Sequence, residues 1–355
     1  MRACAGQGER RPVAGHESDA GQRRPWRTVF MGAPAFAALI LRRLLDSSLF
    51  EVRGVCTRPD RPAGRGRKPT PPPVKTLALQ RSLPLIQPPH FRNDPEGDAA
   101  FSALAAWAPE LLIVAAYGLI LPRRVLDLPL VMPLNAHASL LPRHRGAAPI
   151  QRALLAGDKV TGISIMRMEG KLDAGPLLLQ RALVIGANDT YGSLHDELAE
   201  MGAELLAEAA LRLKEGRADL VAQDEARATY ASKITGEDCH LDFSLPAASL
   251  HARIRALHPR PGAVMTLRRA GRQDLRVNVA PGLCPLPPEL GEYARASGGE
   301  NGAILGRKNG ALLVSCGDGA YAFTGLRPAG GRDMGADAFF NGYLSGASIP
   351  PCKFL

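Results

Sequence analysis

Residues 111–115 read Leu-Leu-Ile-Val-Ala, an unbroken apolar run with no polar side chain to offer solvent. Successive side chains of a strand point to opposite faces, so both faces of this one must be covered. That condition is met by a central strand of a parallel sheet with helices on either side. The flanking sequence supplies the remaining parts. Residues 27–31 predict a first strand, and Gly32-Ala-Pro-Ala35 turns into a helix with Phe36, Leu39, Ile40, Leu44 and Leu45 along one face. Strands at 51–57, 83–87, 131–137 and 161–168 alternate with helices at 74–81 and 95–107, and a long amphipathic helix runs from 189 to about 215. The expectation is an α/β domain: an open, mostly parallel, Rossmann-like sheet with helices on both faces.

From about residue 224 the pattern changes. Short strand-like runs at 263–267, 275–280, 303–305, 312–316 and 321–326 alternate with Gly and Pro, which predicts a small all-β barrel. The expected organisation is a disordered extension at 1–26, a first domain at 27–215, a linker at 216–236, a second domain at 237–345 and a tail at 346–355. Residues 58–73 hold so much Pro, Gly and Arg that an irregular loop is expected there.

Net charge is +10 over 355 residues, and the charge is unevenly placed. Residues 253–276 carry seven Arg against Asp274 alone, and residues 58–68 carry five cations against Asp60. Two cationic clusters in different halves suit one long polyanion that touches both. No apolar run approaches the roughly 20 residues of a spanning helix, so no membrane association is expected. Six scattered cysteines form no C-x-x-C pair and no zinc spacing. Free thiols, a cytoplasmic location and no metal are expected.

An α/β sheet that opens on Gly32 invites a dinucleotide reading, which needs G-x-G-x-x-G at the first turn. Ala33, Pro34 and Ala35 stand there instead, adding Cβ atoms and removing an N–H, so nicotinamide and flavin nucleotides are disfavoured. The informative stretch is Pro133-Leu-Asn-Ala-His-Ala-Ser-Leu-Leu-Pro142. Asn135 and His137, two apart, project together at the carboxyl end of a strand, where open α/β sheets bind ligands. An amide donor beside an imidazole suits a carbonyl whose oxygen gains charge under attack. Asp173, in Gly170-Lys-Leu-Asp-Ala-Gly175, follows the 161–168 strand closely enough to meet that pair and fix the tautomer of His137. The same residues also suit turns closed by local hydrogen bonds, and spacing alone leaves both readings open.

Asn135-Ala-His137, Ser139-Leu-Leu-Pro142, Arg145-Gly-Ala-Ala-Pro-Ile150 and Leu172-Asp-Ala-Gly175 together resemble the folate-dependent formyltransferases. Thr57-Arg-Pro-Asp-Arg-Pro-Ala-Gly-Arg-Gly-Arg-Lys68, Ala115-Ala-Tyr-Gly-Leu-Ile-Leu-Pro122, Val314-Ser-Cys-Gly-Asp-Gly319 and Phe339-Phe-Asn-Gly342 are similar to the methionyl-tRNA formyltransferases among them. The resemblance implies a second domain like an OB-fold and direct transfer of a formyl group from 10-formyltetrahydrofolate to initiator methionyl-tRNA. It places the catalytic roles on Asn135, His137 and Asp173, and folate contacts on Ser139, Leu140, Leu141 and Pro142. It places contacts to the tRNA acceptor end on Arg58, Arg61, Arg65, Arg67 and Lys68. A monomer suits such a clamp. Two alternatives stay open: a formyltransferase for a small amine or nucleotide, which needs no basic loop, and an impaired RNA-binding homologue, which needs no Asn/His/Asp set. The chain departs from the family at Ala138 and Lys171, where glycines are usual, and at His258-Pro-Arg-Pro261. A Cβ at Ala138 matters if that backbone needs positive φ or approaches the pterin closely. Lys171 either acts on Asp173 or points to solvent.

Overall fold

The structure, a computed structural model, describes residues 24–63, 68–269, 273–344 and 353–355. Its first half runs β1 (Trp26–Gly32), α1 (Ala35–Leu45), β2 (Phe50–Cys56), β3 (Arg61–Ala63), β4 (Lys68–Thr70), α2 (Pro73–Gln80), β5 (Leu85–Ile86) and α3 (Pro95–Ala105). There follow β6 (Leu111–Ala115), α4 (Arg123–Leu126), β7 (Met132–His137), β8 (Arg145–Gly146), α5 (Pro149–Leu155), β9 (Val160–Arg167), β10 (Leu177–Val184) and α6 (Tyr191–Lys214). Seven strands form one sheet in the order β10-β9-β7-β6-β1-β2-β5. The strands β1, β2, β5, β6 and β7 run parallel, and β9 runs antiparallel to both its neighbours, β7 and β10. The mostly parallel α/β sheet is as expected.

Strand β6 is buried at every residue, and its two faces serve two cores. Leu111, Ile113 and Ala115 pack with α1 and α6, whereas Leu112 and Val114 pack with Val29, Met31, Phe91 and Leu104. Each large apolar side chain so covered contributes roughly 1.5–3 kcal/mol. Helix α6 starts on a capping box, with the Thr190 side chain accepting from the Ser193 N–H and Ser193 returning a bond to Thr190. It then buries Leu194, Leu198, Leu205 and Leu206 against the sheet.

Three features of this first half differ from expectation. Residues 58–73 are not wholly irregular: β3 and β4 pair antiparallel, Arg61 opposite Thr70, Pro62 opposite Pro69 and Ala63 opposite Lys68. Proline is tolerated because each strand of a two-stranded ribbon has an unpaired edge. Strand β10 went unread because its apolar residues fall on both faces, Val184 being 73% exposed, so no period of two is visible. Helices α4 and α5 span four and seven residues, too few to establish a helical period.

The second half holds β11 (Tyr230–Ala231), α7 (Ala247–Leu257), β12 (Ala263–Arg268), β13 (Leu275–Val279), α8 (Pro288–Ser297), β14 (Ile304–Lys308) and β15 (Ala311–Cys316). It ends with β16 (Gly319–Phe323), β17 (Gly325–Pro328), β18 (Met334–Gly335), α9 (Ala336–Phe339) and β19 (Lys353–Phe354). Antiparallel strands dominate, in one sheet ordered β18-β17-β13-β12-β19 and another ordered β14-β15-β16. Bridges from Leu283 to Ala322 and from Ala303 to Lys353 join the two. Helices α7 and α8 stand beside the expected strands. The run 321–326 is two strands, broken at Thr324. Within the expected tail, Lys353 and Phe354 pair with β12, because Phe354 fills the core among Phe243, Met265 and Phe323 and is 1% exposed.

Candidate active site

The chain builds the sheet outward from β1 through β2 to β5, then returns to place β6 on the other side of β1. Ligand crevices of such sheets open at the carboxyl ends of the strands near that reversal. Strand β7 lies next to β6, with Asn135 opposite Val114 on that flank and opposite Met166 on the other. Leu134, Ala136 and Ala138 face the core under α1 and α6. Alternation therefore turns Asn135 and His137 to the opposite face.

Both side chains are buried, Asn135 at 8% and His137 at 6% exposure. A buried side-chain amide normally finds a partner. Asn135 makes no side-chain hydrogen bond among the described residues, and its amide is not among their fully enclosed unpartnered atoms, so it stays open to a ligand. His137 Nε2 lies 2.9 Å from the His144 carbonyl oxygen. A carbonyl only accepts, so Nε2 carries the hydrogen and Nδ1 is the nitrogen turned to the site. Nδ1 stands 3.7 Å from Asp173 Oδ2, too far for a hydrogen bond. The expected tautomer-fixing role thus belongs to the His144 carbonyl and not to Asp173.

Asp173 comes from the connection between β9 and β10. The Met168 N–H donates to Pro133 O, and the segment then folds back until Asp173 reaches His137. The fold-back puts Asp173 at φ +48, a conformation uncommon for a side chain with a Cβ. Gly175 is required at its base, since a Cβ there would overlap the Arg167 carbonyl. The Asp173 carboxylate accepts the Gly146 N–H at 2.8 Å, and Gly146 itself sits at φ +121 against the Ala231 carbonyl. His137 and Asp173 are thereby brought together, on the face of β7 that also carries Asn135.

Residues 26–210 match the family described as Formyl transferase, and residues 233–344 match its C-terminal domain. A methionyl-tRNA formyltransferase of Nitratidesulfovibrio vulgaris is 47% identical over 321 residues, covering 90% of this chain and 94% of that protein. The chain belongs to the formyl transferase family. A methionyl-tRNA formyltransferase of Pseudomonas fluorescens is 44% identical over 317 residues, 89% of this chain and 93% of that protein. Among solved structures, HypX from Aquifex aeolicus in complex with tetrahydrofolic acid superposes with a TM-score of 0.59 at 18% identity. That match covers 91% of this chain and 48% of HypX, a likeness of fold.

Two departures of this formyl transferase, Ala138 and Lys171, have simple structural accounts. Ala138 does not have positive φ, is 7% exposed, and packs in the core behind β7. Lys171 is not a partner of Asp173; its ammonium pairs with Glu225 at 2.6 Å. In the Ser139–Pro142 turn, the Ser139 hydroxyl donates to Arg143 O at 2.7 Å and the Leu141 N–H goes to Ser164 Oγ at 3.0 Å. Leu140 and Pro142 are the partly exposed members of that turn, and Ser139 and Leu141 are buried.

Of the basic residues, Arg61 and Lys68 are exposed on the hairpin, and Arg65 and Arg67 lie outside the described residues. The Arg58 guanidinium lies against Gly118, which follows β6, so it borders the crevice from the β2 side. Asp60 pairs with Lys75 at 2.8 Å and accepts from Gln87. In the second cluster Arg255 points inward to the Asp189 carbonyl at 2.8 Å, and Arg268 pairs with Asp274 at 3.4 Å. Sequence reading missed the partners that hold the site, namely His144, Arg145, Gln223 and Glu225. Arg145 gave the one signal, a charged residue amid the small residues of a shared motif. The four described cysteines, Cys56, Cys239, Cys284 and Cys316, are free thiols.

Proposed function

We propose that this formyl transferase moves a formyl group from 10-formyltetrahydrofolate to the free amino group of methionyl-tRNA, with the initiator species as substrate. The observation that carries the chemistry is Asn135, a largely buried residue with no side-chain hydrogen bond among the described residues, on the face of β7 that also carries His137, which Asp173 approaches. Near-full-length identity of 47% with a methionyl-tRNA formyltransferase supports the choice of substrate. No helix among the described residues is long and apolar enough to cross a membrane. A monomer in the cytoplasm fits the reading, with residues 27–215 catalytic, 216–236 a linker and 237–345 the unit that holds tRNA.

The residues present fit a formylated folate. Asn135 offers donors, and Leu140 and Pro142, in the turn that follows β7, offer partly exposed apolar surface. When bound, 10-formyltetrahydrofolate supplies the formyl carbon. Asn135 donates to the formyl oxygen as negative charge gathers there, in a pocket where such a bond is stronger than in water. His137, fixed through Nε2, presents Nδ1 for proton transfer. Asp173, oriented by the Gly146 N–H, would take the proton that the methionine amine loses as its nitrogen bonds to the formyl carbon, and a proton delivered through His137 would reach the folate nitrogen as its own bond to that carbon breaks. Arg58, Arg61 and Lys68 hold acceptor-end phosphates, and the cations of the second half extend that grip.

The test is formyl transfer from 10-formyltetrahydrofolate to charged initiator tRNA, with charged elongator tRNA and a small amine in parallel. Transfer favouring the initiator is expected. Transfer to the small amine alone, or tRNA binding without transfer, would contradict the reading.

A further inference from the structure

Gln223 lies in the segment between α6 and β11, fifty positions along the chain from Asp173, yet it grips the Asp173 turn. Its side-chain N–H groups donate to the carbonyls of Asp173 at 2.9 Å and Gly175 at 2.7 Å. Its carbonyl accepts from Arg145 Nε at 3.1 Å and Nη2 at 2.8 Å. Arg145 is 0% exposed and also pairs with Glu225 at 2.8 Å. Glu225 is held down to about 2 by Arg145 and then by Lys171, which reaches it from the Asp173 turn. The next linker residues hold the other side of the site. Thr229 accepts the His144 N–H through Oγ1 and the Arg145 N–H through its carbonyl, both at 2.9 Å. His144 is the residue whose carbonyl fixes His137.

A fully buried guanidinium tolerates no partial set of partners, so Gln223 and Glu225 must both be seated for Arg145 to be satisfied. An Asp at φ +48 persists only where its surroundings hold it. We propose that Gln223 is a positioning residue for the transfer reaction. Through it, the inter-domain linker holds Asp173 against His137, and the reaction centre is complete only while the linker is seated. This rests on the reading of Asp173 as a reacting group.

Gln223→Glu keeps an acceptor for Arg145 and removes both donors to the turn. Displacing a reacting group by about 1 Å costs up to about 100-fold. Turnover on charged initiator tRNA is expected to fall about tenfold or more, with KM for tRNA and affinity for the folate changing less than about twofold. Gln223→Met, of similar length and uncharged, is measured beside it, so that poor folding of one variant does not decide the result. The discriminating measurement is the double variant with Asp173→Asn. A residue that acts through Asp173 has no further effect once Asp173 is disabled. Losses that multiply in the double variant, turnover within about twofold of wild type for both Gln223 variants, or a change confined to KM would each overturn the proposal. Wild-type turnover in Asp173→Asn alone would instead overturn the reading of Asp173 on which it rests.

Discussion

Strand β7 and the hairpin of β3 and β4 carry polar side chains of opposite kinds. On β7, Asn135 and His137 are 8% and 6% exposed, and His137 is held by a backbone carbonyl. On the hairpin, Arg61 and Lys68 are exposed, and the nearby acid, Asp60, is already paired with Lys75. Buried groups held in advance act on the transition state, where orientation counts, and so should govern turnover. Exposed cations act through phosphates over a distance that salt screens, and so should govern binding. The difference teaches that the two regions are to be tested by different readouts.

The largest effect is expected at the buried pair. His137→Ala should lower turnover at least about 100-fold, the range for a lost proton-transfer group, with folate affinity unchanged by equilibrium binding. A loss in affinity with turnover intact would put β7 in the same class as the hairpin. Arg61→Ala should reduce kcat/KM on charged initiator tRNA by about tenfold and flatten the salt dependence of binding by about one log-log unit. Arg268→Ala, already neutralised in part by Asp274, should weaken all tRNAs by about twofold. Salt-independent loss of turnover in Arg61→Ala would erase the contrast.

Buried His251, which meets Tyr321 Oη at 2.9 Å in the second half, tests the same distinction through stability. Burial first, and Arg255 second, push its pKa below the ordinary histidine value. The folded state therefore binds fewer protons than the unfolded state just below pH 6.5. Stability should be full above that pH and decline as the solution is acidified, seen as a falling thermal midpoint between pH 7.5 and 5.5. His251→Gln should reduce that slope; an unchanged slope would place its cause elsewhere. The smallest effect on function is expected at Ala138→Gly. Loss of a buried methyl and gain of backbone freedom should cost about 1–2 kcal/mol in denaturant titration, with folate affinity unchanged. Tighter folate binding would show that the Ala138 methyl reaches the ligand after all.

The regions also differ in how far the chain announces them. The unbroken apolar run of β6 and the two-residue spacing of Asn135 and His137 are local patterns, and both translate directly into buried strands and a shared face. Asp173 was legible as a turn residue near that face, but its left-handed backbone depends on Gly175, Gly146 and Gln223 acting across the fold. No local period carries such contacts. The His137 tautomer was unreadable for the same reason, since it depends on a carbonyl seven residues away that a tight turn brings into reach. The β3–β4 ladder was hidden by a composition that argues against strands in general and permits them at an edge.

Asn135 offers the most direct test, because its amide has no structural partner to lose. The rate of a single turnover is measured with charged initiator tRNA and 10-formyltetrahydrofolate both saturating, for wild type and Asn135→Ala. Removal of an oxyanion donor predicts a rate lower by about 100- to 1,000-fold with both affinities preserved. A rate within about tenfold of wild type would contradict the assignment of the transfer step to this strand.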